Sequence, residues 1–356
     1  MDQISTDLTD RGADRAAIDR ALREAVDTLA PDVAQVASYH FGWTDAEGRP
    51  AEARPGKHVR PLLACLTADA LGADREAALA AACAVELVHN HSLVHDDVID
   101  RDTHRRSRPT VWAVYGVPAA ILVGDAMHAL AFEALSRLPG TRVDSASSLL
   151  GKTVNQLVRG QMSDMAFETR TDVRLGDCVE MVAGKTAALM ACSTSLGAIV
   201  AGAEEETENS AYRFGFHLGM CFQHVDDLLG IWGEQEATGK PKYSDLRNRK
   251  KSLPVVAAFE SESSEAERLR DFFAPAADQT ERLYGLPTER RGDEEEADYE
   301  AMAELVSRLG GEAVSRSAAE AHLEQALAAL DGMGLDTEGA APLRAMAVLL
   351  AERDRL

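Results

Sequence analysis

The sequence predicts an all-α protein. Two long stretches, 62–108 and 140–240, contain no proline, a residue that removes a backbone donor and clashes inside a helix. Alternating apolar and polar runs bounded by turn residues, which are typical of strands, are scarce. Long helices are therefore the main elements that this chain can form.

Three segments carry helical patterns. Residues 75–93 and 318–330 are rich in alanine and leucine, which favour helices. Between Ala211 and Leu229, apolar side chains recur every three or four residues, which is the period of an amphipathic helix. Residues 288–299, TERRGDEEEADY, break this periodicity with dense charge, and we expect a surface loop there.

Composition excludes several classes of protein. The 356 residues carry a formal net charge of −22, which argues against nucleic-acid binding through a broad positive surface. The longest nearly apolar run, 111–124, is shorter than the roughly 20 residues of a membrane-spanning helix. The acidic N-terminus lacks the apolar core of a signal peptide, so we expect a cytoplasmic protein without a membrane span. The five cysteines form no CxxC pair, and we expect buried thiols.

A short acidic motif occurs twice, as DDVID at 96–100 and as DDLLG at 226–230. In a helix, Asp96 and Asp100 share one face, and clustered carboxylates raise one another's pKa unless a cation neutralises them. Oxygen ligands of this kind suit Mg²⁺, which takes its other ligands from water and phosphate. A solvated acidic surface is the simpler alternative for either motif alone.

Basic residues flank the first acidic motif. Lys57 and Arg60 precede it, and Arg105 and Arg106 follow it. Ammonium and guanidinium groups suit phosphate oxygens, so a metal site beside these cations indicates a diphosphate ligand. Further polar segments follow in this order: GQMSD (160–164), GKT (184–186), Gln223, TGKP (238–241), Asp245-Leu246 and KKSLP (250–254).

From about Gly56 to Pro254, this order of motifs resembles the trans-isoprenyl diphosphate synthase family, also called the polyprenyl synthetase family. Residues 89–112 resemble its first aspartate-rich region, and residues 222–254 resemble its second. The resemblance implies one helical domain, residues 1–356, around a deep central cavity with the two aspartate-rich helices facing each other across its mouth. It also implies a homodimer.

The resemblance assigns roles to individual residues. Three Mg²⁺ ions per active site are expected on the carboxylates of Asp96, Asp100, Asp164, Asp226 and Asp227, with Asp245 as a supporting partner. The other residues with an expected catalytic role are Asp97, Lys185, Thr186 and Gln223. The allylic diphosphate is expected to bind Lys185, Lys240 and Arg105. Isopentenyl diphosphate is expected to bind Lys57, Arg60, His89 and Arg106. Lys250, at the far end of the second motif, is expected to bind substrate at the mouth of the second site.

The implied reaction is a head-to-tail condensation. Mg²⁺ neutralises the allylic diphosphate so that its C–O bond can ionise, and the double bond of isopentenyl diphosphate attacks the resulting cation. Product length is expected to depend on His91 and Ser92, about one helical turn beneath the first motif. Because Ser92 is small and His91 is of middling bulk, the sequence favours a C20 product, geranylgeranyl diphosphate, with C15 next.

Two positions depart from the family pattern. Gly230 stands where the second motif usually has a third aspartate, and Tyr243-Ser244 stand where a glycine-lysine pair is common. A terpene cyclase of the same fold, which ionises a prenyl diphosphate and folds the cation onto itself, is therefore an alternative. A non-catalytic helical scaffold is a second one.

A metal-dependent phosphohydrolase is a third alternative. It would use His58, the adjacent His95 and Asp96, and the distant Asp226 as metal ligands. This interpretation leaves the arginines and the rest of both acidic motifs without a role, so we favour the synthase.

Overall fold

The computed structural model describes residues 12–51, 56, 58–140, 142–235, 241–274 and 295–352. In chain order, its helices are α1 (Gly12–Val26), α2 (Pro31–Phe41), α3 (Val59–Ala70), α4 (Arg75–Ile99), α5 (Val111–Tyr115), α6 (Val117–Ser136), α7 (Arg142–Thr169), α8 (Leu175–Val182), α9 (Ala188–Ala201), α10 (Glu205–Trp232), α11 (Ser244–Arg247), α12 (Leu253–Phe259), α13 (Ser264–Phe272), α14 (Glu296–Arg308), α15 (Gly311–Asp331) and α16 (Thr337–Ala351). A π-helical turn, Ala183–Ala187, separates α8 from α9. An antiparallel ribbon, β1 (His104–Arg105) and β2 (Arg108–Pro109), follows α4.

Within these ranges most residues are helical and few are in strands, so the all-α prediction is confirmed. The helices predicted at 75–93, 211–229 and 318–330 lie within α4, α10 and α15. The five cysteines are buried and unbridged, as expected. Backbone contacts group the chain into two compact units, and the single domain implied by the resemblance stays a prediction.

The first unit comprises residues 1–154, 189–215 and 329–345. Its packing is densest where α4 lies against α3 and α6. Asp74 directly precedes α4. Its carboxylate accepts the backbone N–H of Glu76 at 3.0 Å and so caps the N-terminus of the helix. Much of the buried face of α4 is alanine, and these small side chains allow the neighbouring helices to approach closely.

The second unit comprises residues 155–188, 216–328 and 346–356. One of its buried apolar clusters joins α10 to α12, α13 and α14 through Ile231, Val255, Leu269 and Val306. A second cluster joins the C-terminal part of α7 to α8, α10 and α12. Through Tyr243, Leu246 and Leu253 these clusters hold the described residues 241–254, which carry Asp245 and the KKSLP motif.

The prediction of a surface loop at 288–299 is wrong for its last residues, because residues 296–299 belong to α14. Glu295 caps α14, and the carboxylate of Asp298 accepts the backbone N–H of Glu295 at 3.0 Å. This reciprocal cap explains why such a charged segment starts a helix. Tyr299 is buried in the first of the two clusters. Residues 288–294 lie outside the described residues.

Three segments of the described chain are long and apolar enough to cross a membrane, judged by length and composition alone. They are Arg75–Ile99, Val117–Ser136 and Leu175–Ala201, and 61%, 44% and 83% of their most apolar windows are buried inside the protein. The expectation of no membrane span rests on uninterrupted apolar runs, whereas these helices include isolated charges. That expectation stays a prediction.

A buried lysine from another part of the chain caps the C-terminal end of α7. The Lys251 ammonium donates to the backbone carbonyls of Phe167 at 2.5 Å and Arg170 at 2.8 Å, at the end of α7 and just beyond it. Burial lowers the pKa of Lys251, and the residue is 7% exposed. A cation at a helix C-terminus is favourable because the last carbonyls lack partners within the helix.

We expect Lys251→Met to lower the free energy of unfolding by about 1–3 kcal/mol, because methionine fills the same space and leaves these buried carbonyls without a donor. Urea denaturation measures the change. Lys152→Met, which alters an exposed lysine on α7, is the matched control. Equal stabilities of the two variants would contradict a capping role for Lys251.

Candidate active site

The first acidic motif forms the C-terminal end of α4. Asp100 ends the helix, and its backbone N–H donates to the carbonyl of Asp96 at 2.8 Å. Asp96 is half-buried and Asp100 is exposed, so two carboxylates one turn apart are accessible to solvent. This spacing suits Mg²⁺, which prefers oxygen ligands and fills its remaining positions with water and phosphate.

Asp97 points the other way and is 1% exposed. The Arg105 guanidinium donates to its Oδ1 through Nε and Nη2, each at 2.7 Å. Oδ2 is buried without a hydrogen-bond partner in the described structure. Burial raises the pKa of Asp97 to about 6, although Arg105 acts in the opposite direction. Asp97 therefore holds Arg105 in place rather than offering an open carboxylate.

The turn of the β1–β2 ribbon positions the two arginines. Its central residues, Arg106 and Ser107, have φ angles of 51° and 62°. Hairpins with two-residue loops require positive φ at such positions, but glycine or asparagine is usual there. This strained backbone lies beside Arg105, and strain of this kind is common at functional sites.

A basic cluster lies beside the first motif and consists of Arg60, His89, Arg105 and Arg106. Nη1 of Arg60 lies 3.4 Å from Nε2 of His89. Burial, followed by the three arginines, lowers the pKa of His89 well below its usual value, so the imidazole is neutral at physiological pH. Gly56 makes room for Arg106, since a Cβ at Gly56 would lie 2.9 Å from Nη2. The cluster is an anion-binding arrangement.

The second motif, in the second unit, also has one solvent-accessible aspartate and one buried aspartate. Asp226 is half-buried, whereas the Asp227 side chain is 2% exposed. Asp227 Oδ1 accepts Gln223 Nε2 at 2.8 Å and Lys250 Nζ at 3.1 Å. Asp227 Oδ2 accepts the backbone N–H of Leu253 at 3.0 Å. This buried carboxylate orients an amide and an ammonium group at once.

The π-helical turn presents two further polar side chains. Thr186 Oγ1 donates to Gln223 Oε1 at 2.8 Å, and Lys185 Nζ lies 2.5 Å from Asp164 Oδ2. Gly160 permits this arrangement, because a Cβ there would lie 2.3 Å from the backbone nitrogen of Lys185. Single π-helical turns often occur at functional sites.

Lys250 is surrounded by carboxylates. Although burial lowers its pKa, Asp227, Asp245, Asp226 and Asp164 together raise the pKa of Lys250 well above its usual value. Its Nζ lies 3.8 Å from Asp245 Oδ2. The ammonium group is thus charged at all physiological pH values and offsets the negative charge of the second motif.

The carboxylate of Asp245 packs against Gly230. A Cβ at Gly230 would lie 2.5 Å from Asp245 Cγ and 2.6 Å from both carboxylate oxygens. The absence of a side chain at position 230 therefore leaves room for the Asp245 carboxylate of α11. Ser244 Oγ also donates to the Gly230 carbonyl at 3.2 Å, and Tyr243 is buried in the apolar cluster of α10 and α12 to α14. Both departures from the family pattern belong to one local arrangement.

Comparison with known proteins decides the family. The model of the family described as "Polyprenyl synthetase" matches residues 50–285. The chain belongs to the polyprenyl synthetase family. The predictions of family and of prenyltransferase class are thereby confirmed.

Individual relatives of this chain are similar over nearly their whole length. A (2E,6E)-farnesyl diphosphate synthase of Mycobacterium tuberculosis is 44% identical over 93% of this chain and 89% of its own. A geranylgeranyl diphosphate synthase of the same organism is 40% identical over 93% of this chain and 91% of its own. The crystal structure of a polyprenyl synthetase from Streptomyces coelicolor is 43% identical, with a TM-score of 0.89 over 97% of this chain and 99% of that one.

Most of the expected site residues of this family are found in two groups. In the first unit these are Asp96, Asp97, Asp100, Arg60, His89, Arg105 and Arg106. In the second unit these are Asp164, Lys185, Thr186, Gln223, Asp226, Asp227 and Lys250. Lys57 and Lys240 lie outside the described residues.

Two of the expected Mg²⁺ ligands already have partners in the structure. Both oxygens of Asp227 accept hydrogen bonds, and Asp164, which is half-buried, forms an ion pair with Lys185. The expected role of these two carboxylates as Mg²⁺ ligands stays a prediction. Asp96, Asp100 and Asp226, which are accessible to solvent, suit the ligand role.

The two residues expected to set product length are both half-buried. Ser92 Oγ donates to the carbonyl of His89 at 2.8 Å and is turned back onto its own helix. His91 Nδ1 lies 3.1 Å from the carbonyl of Gly124, and its ring stacks on His128 with centroids 5.0 Å apart. His91 therefore packs against α6.

Sequence reasoning missed polar residues behind the basic cluster. His40 Nε2 donates to Asn90 Oδ1 at 3.0 Å, and burial lowers the pKa of His40 to about 3. A cavity of about 30 Å³ is lined by His40, Tyr39, Arg105 and Arg106, among others. His40 belongs to α2, far from every motif in sequence, so no pattern marks it.

The raised pKa of Asp97 predicts pH-dependent stability. Because the folded protein binds this proton more tightly than the unfolded chain, where the pKa is about 3.9, the stabilisation is full below about pH 4. It is lost as the pH rises through about 6. Between these limits, we expect the free energy of unfolding to fall by up to ~3 kcal/mol relative to Asp97→Asn.

Urea denaturation of both proteins across this pH range, without Mg²⁺ or substrate, measures the difference. Asp144→Asn, which changes an exposed aspartate of α7, is the matched control. A difference between the unmodified protein and Asp97→Asn that does not change with pH would rule out a buried, protonated Asp97.

The contact between Gly230 and Asp245 predicts a steric conflict. We expect Gly230→Ala to lower the free energy of unfolding by about 1–3 kcal/mol, because the added methyl displaces the Asp245 carboxylate. In the control Gly151→Ala, nothing lies within 4 Å of the new Cβ, and alanine should stabilise α7 by about 0.5–1 kcal/mol.

A double-mutant cycle isolates this contact. Combined with Asp245→Ala, the Gly230→Ala substitution should cost little, and denaturant unfolding of the four proteins gives the coupling. Strictly additive effects would mean that the carboxylate does not occupy this space.

Proposed function

We propose that the protein catalyses Mg²⁺-dependent, head-to-tail condensation of isopentenyl diphosphate with an allylic diphosphate, giving a short-chain all-trans prenyl diphosphate. The observation that carries this proposal is the basic cluster beside the solvent-accessible carboxylates of Asp96 and Asp100. Cations and Mg²⁺ ligands in one place suit a diphosphate. The farnesyl and geranylgeranyl diphosphate synthases among its relatives support the same substrate class.

The carboxylates of Asp96, Asp100 and Asp226 would hold Mg²⁺, and we propose three ions per site. Bound there, Mg²⁺ supplies Lewis-acid neutralisation of the allylic diphosphate as it leaves. Arg105, held by Asp97, and Lys185, held by Asp164, contribute further positive charge to this leaving group. Lys240 is proposed to join them.

The isopentenyl diphosphate is proposed to bind Lys57, Arg60 and Arg106. The neutral His89 accepts from Arg60 and so directs the guanidinium. Guanidinium groups bind phosphate oxygens in pairs, which fixes orientation as well as charge. Orientation matters because the condensation joins two bound substrates, and holding them together lowers the entropic part of the barrier.

The Gln223 amide is oriented for a role near the carbocation. Its Oε1 accepts from Thr186, and its Nε2 donates to Asp227. With both ends bonded, the amide dipole is fixed before the reaction, and fixed dipoles stabilise developing charge without reorganisation. We assign to Thr186 and Gln223 the stabilisation of the allylic cation.

A C20 product is favoured, with C15 next. Ser92 is small and its hydroxyl is bonded to its own helix, while His91 packs against α6. Neither side chain is a large aromatic that would close the floor of a cavity. Relatives of both product classes are similarly close to this chain, so they do not choose between C15 and C20.

We also propose a cytoplasmic homodimer. An exposed apolar strip on α6, formed by Val117, Ile121 and Leu122, fits a subunit interface. Analytical ultracentrifugation distinguishes the dimer from a monomer.

Product analysis tests the proposed reaction. Purified protein is incubated with Mg²⁺, isopentenyl diphosphate and, separately, C5, C10 or C15 allylic diphosphates, and products are identified by mass spectrometry. We expect a linear C20 or C15 diphosphate. Asp96→Ala should abolish turnover and keep the far-ultraviolet circular dichroism of the unmodified protein, because an exposed or half-buried aspartate adds little to folding.

Other products would identify the alternatives. A hydrocarbon formed from a C15 or C20 diphosphate alone would indicate a terpene cyclase. Folded protein that turns over neither set of substrates would indicate a scaffold. Full turnover by Asp96→Ala would remove the metal-binding argument.

A further inference from the structure

A cluster of imidazole and carboxylate groups lies where α4 packs against α6. His91 and His95 are one turn apart on α4, and Asp125 lies on α6. One ligand atom from each of these three side chains lies within 4.8 Å of the others. His95 Nε2 is 3.9 Å from Asp125 Oδ1. The proposed function uses His91 for product length, and it gives no role to His95 or Asp125.

The ring of His91 is held in an orientation that suits metal binding. Its Nδ1 donates to the backbone carbonyl of Gly124 at 3.1 Å, which leaves the lone pair on Nε2. The His128 ring stacks on the His91 ring at an interplanar angle of 24°. Metal-binding histidines commonly donate their second ring N–H to a carbonyl in this way.

The His91 ring does not need to release a proton before it binds a metal. Burial, followed by the neighbouring rings of His95 and His128, lowers the pKa of His91 to about 4. Burial also lowers the pKa of His128. The ligand form of an imidazole is the neutral one, and His91 is neutral at physiological pH.

Glycine at position 124 leaves room for the His95 ring. A Cβ at Gly124 would lie 2.2 Å from His95 Nε2, so any other residue would push the ring away from α6. With glycine there, the ring lies against the helix next to Asp125. Its Nε2 donates to the carbonyl of Ile121 at 3.1 Å, which leaves the lone pair on Nδ1 for a metal. Sequence and packing thus place a histidine and a carboxylate side by side.

We propose that His91, His95 and Asp125 form a binding site for a divalent transition metal, with a water molecule in the fourth position. Two imidazoles and one carboxylate suit Zn²⁺, Co²⁺ or Ni²⁺, whereas Mg²⁺ prefers oxygen ligands alone. In a tetrahedral zinc site the ligand atoms are about 3.4 Å apart, so small side-chain rotations complete the site. His128 is a positioning residue that holds the His91 ring.

An occupied site would link the last two turns of α4 to α6. Asp96 directly follows His95 in sequence, so the metal would fix the backbone that carries the first acidic motif. The site is separate from the Mg²⁺ carboxylates in its ligand atoms and in its metal preference. Its existence does not depend on the proposed condensation.

Cobalt titration of the full-length protein tests this site. Co²⁺ is added in the presence of excess Mg²⁺, and its visible d–d absorption reports nitrogen ligation in tetrahedral geometry. We expect one Co²⁺ per chain that Mg²⁺ does not displace but Zn²⁺ does. Asp125→Asn and His91→Asn should each weaken Co²⁺ binding at least about tenfold, and Zn²⁺ should no longer raise their melting temperatures.

Two control variants match the substitutions. Asp144→Asn removes an exposed aspartate from α7, and His217→Asn removes a histidine from a separate histidine pair with His322 on α15. Both should bind Co²⁺ like the unmodified protein. Undiminished binding by Asp125→Asn, or complete displacement of Co²⁺ by Mg²⁺, would overturn the proposal. Neither result depends on catalytic turnover, so the proposed condensation is tested independently.

Discussion

Pairing of a buried carboxylate with a cation is the constraint on which both acidic motifs depend. Consecutive helical residues point about 100° apart, so on a helix that is packed along one side two adjacent aspartates can differ in exposure. In each motif the second aspartate is buried, Asp97 against Arg105 and Asp227 against Lys250. A buried charge is tolerated only with such partners. The first aspartate of each pair is left accessible to solvent.

Close backbone contacts at glycine then set the positions of the remaining polar groups. Gly160 lets α7 approach the π-helical turn, which places Lys185 on Asp164 and Thr186 on Gln223. Because Gln223 also bonds to Asp227, the turn and the second motif share one hydrogen-bond network. Networks of this kind restrict side-chain motion more than isolated pairs do, so the amide and the ammonium groups are oriented before substrate binds.

Gly230 shows how a departure from a family pattern can be local. Seen as a sequence, the loss of a third aspartate weakens the second motif and raises the possibility of a cyclase. In the folded protein, Asp245 from the short helix α11 occupies the space that a side chain at 230 would need. It also lies near Lys250, so glycine at 230 leaves room for a carboxylate that belongs to the second motif's own surroundings.

The sequence by itself determined the all-α class, the main helices and the family, and it predicted the site residues, because proline spacing, helical periodicity and ordered motifs are local properties. It did not determine that Asp97 and Asp227 are buried partners of cations, that Glu295 caps a helix within a charged segment, or that His40 lies behind the arginines. Only the tertiary structure decided these points, because burial and charge pairing join residues far apart in the chain. The same holds for the histidine and aspartate cluster between α4 and α6, whose members are unremarkable until the helices pack.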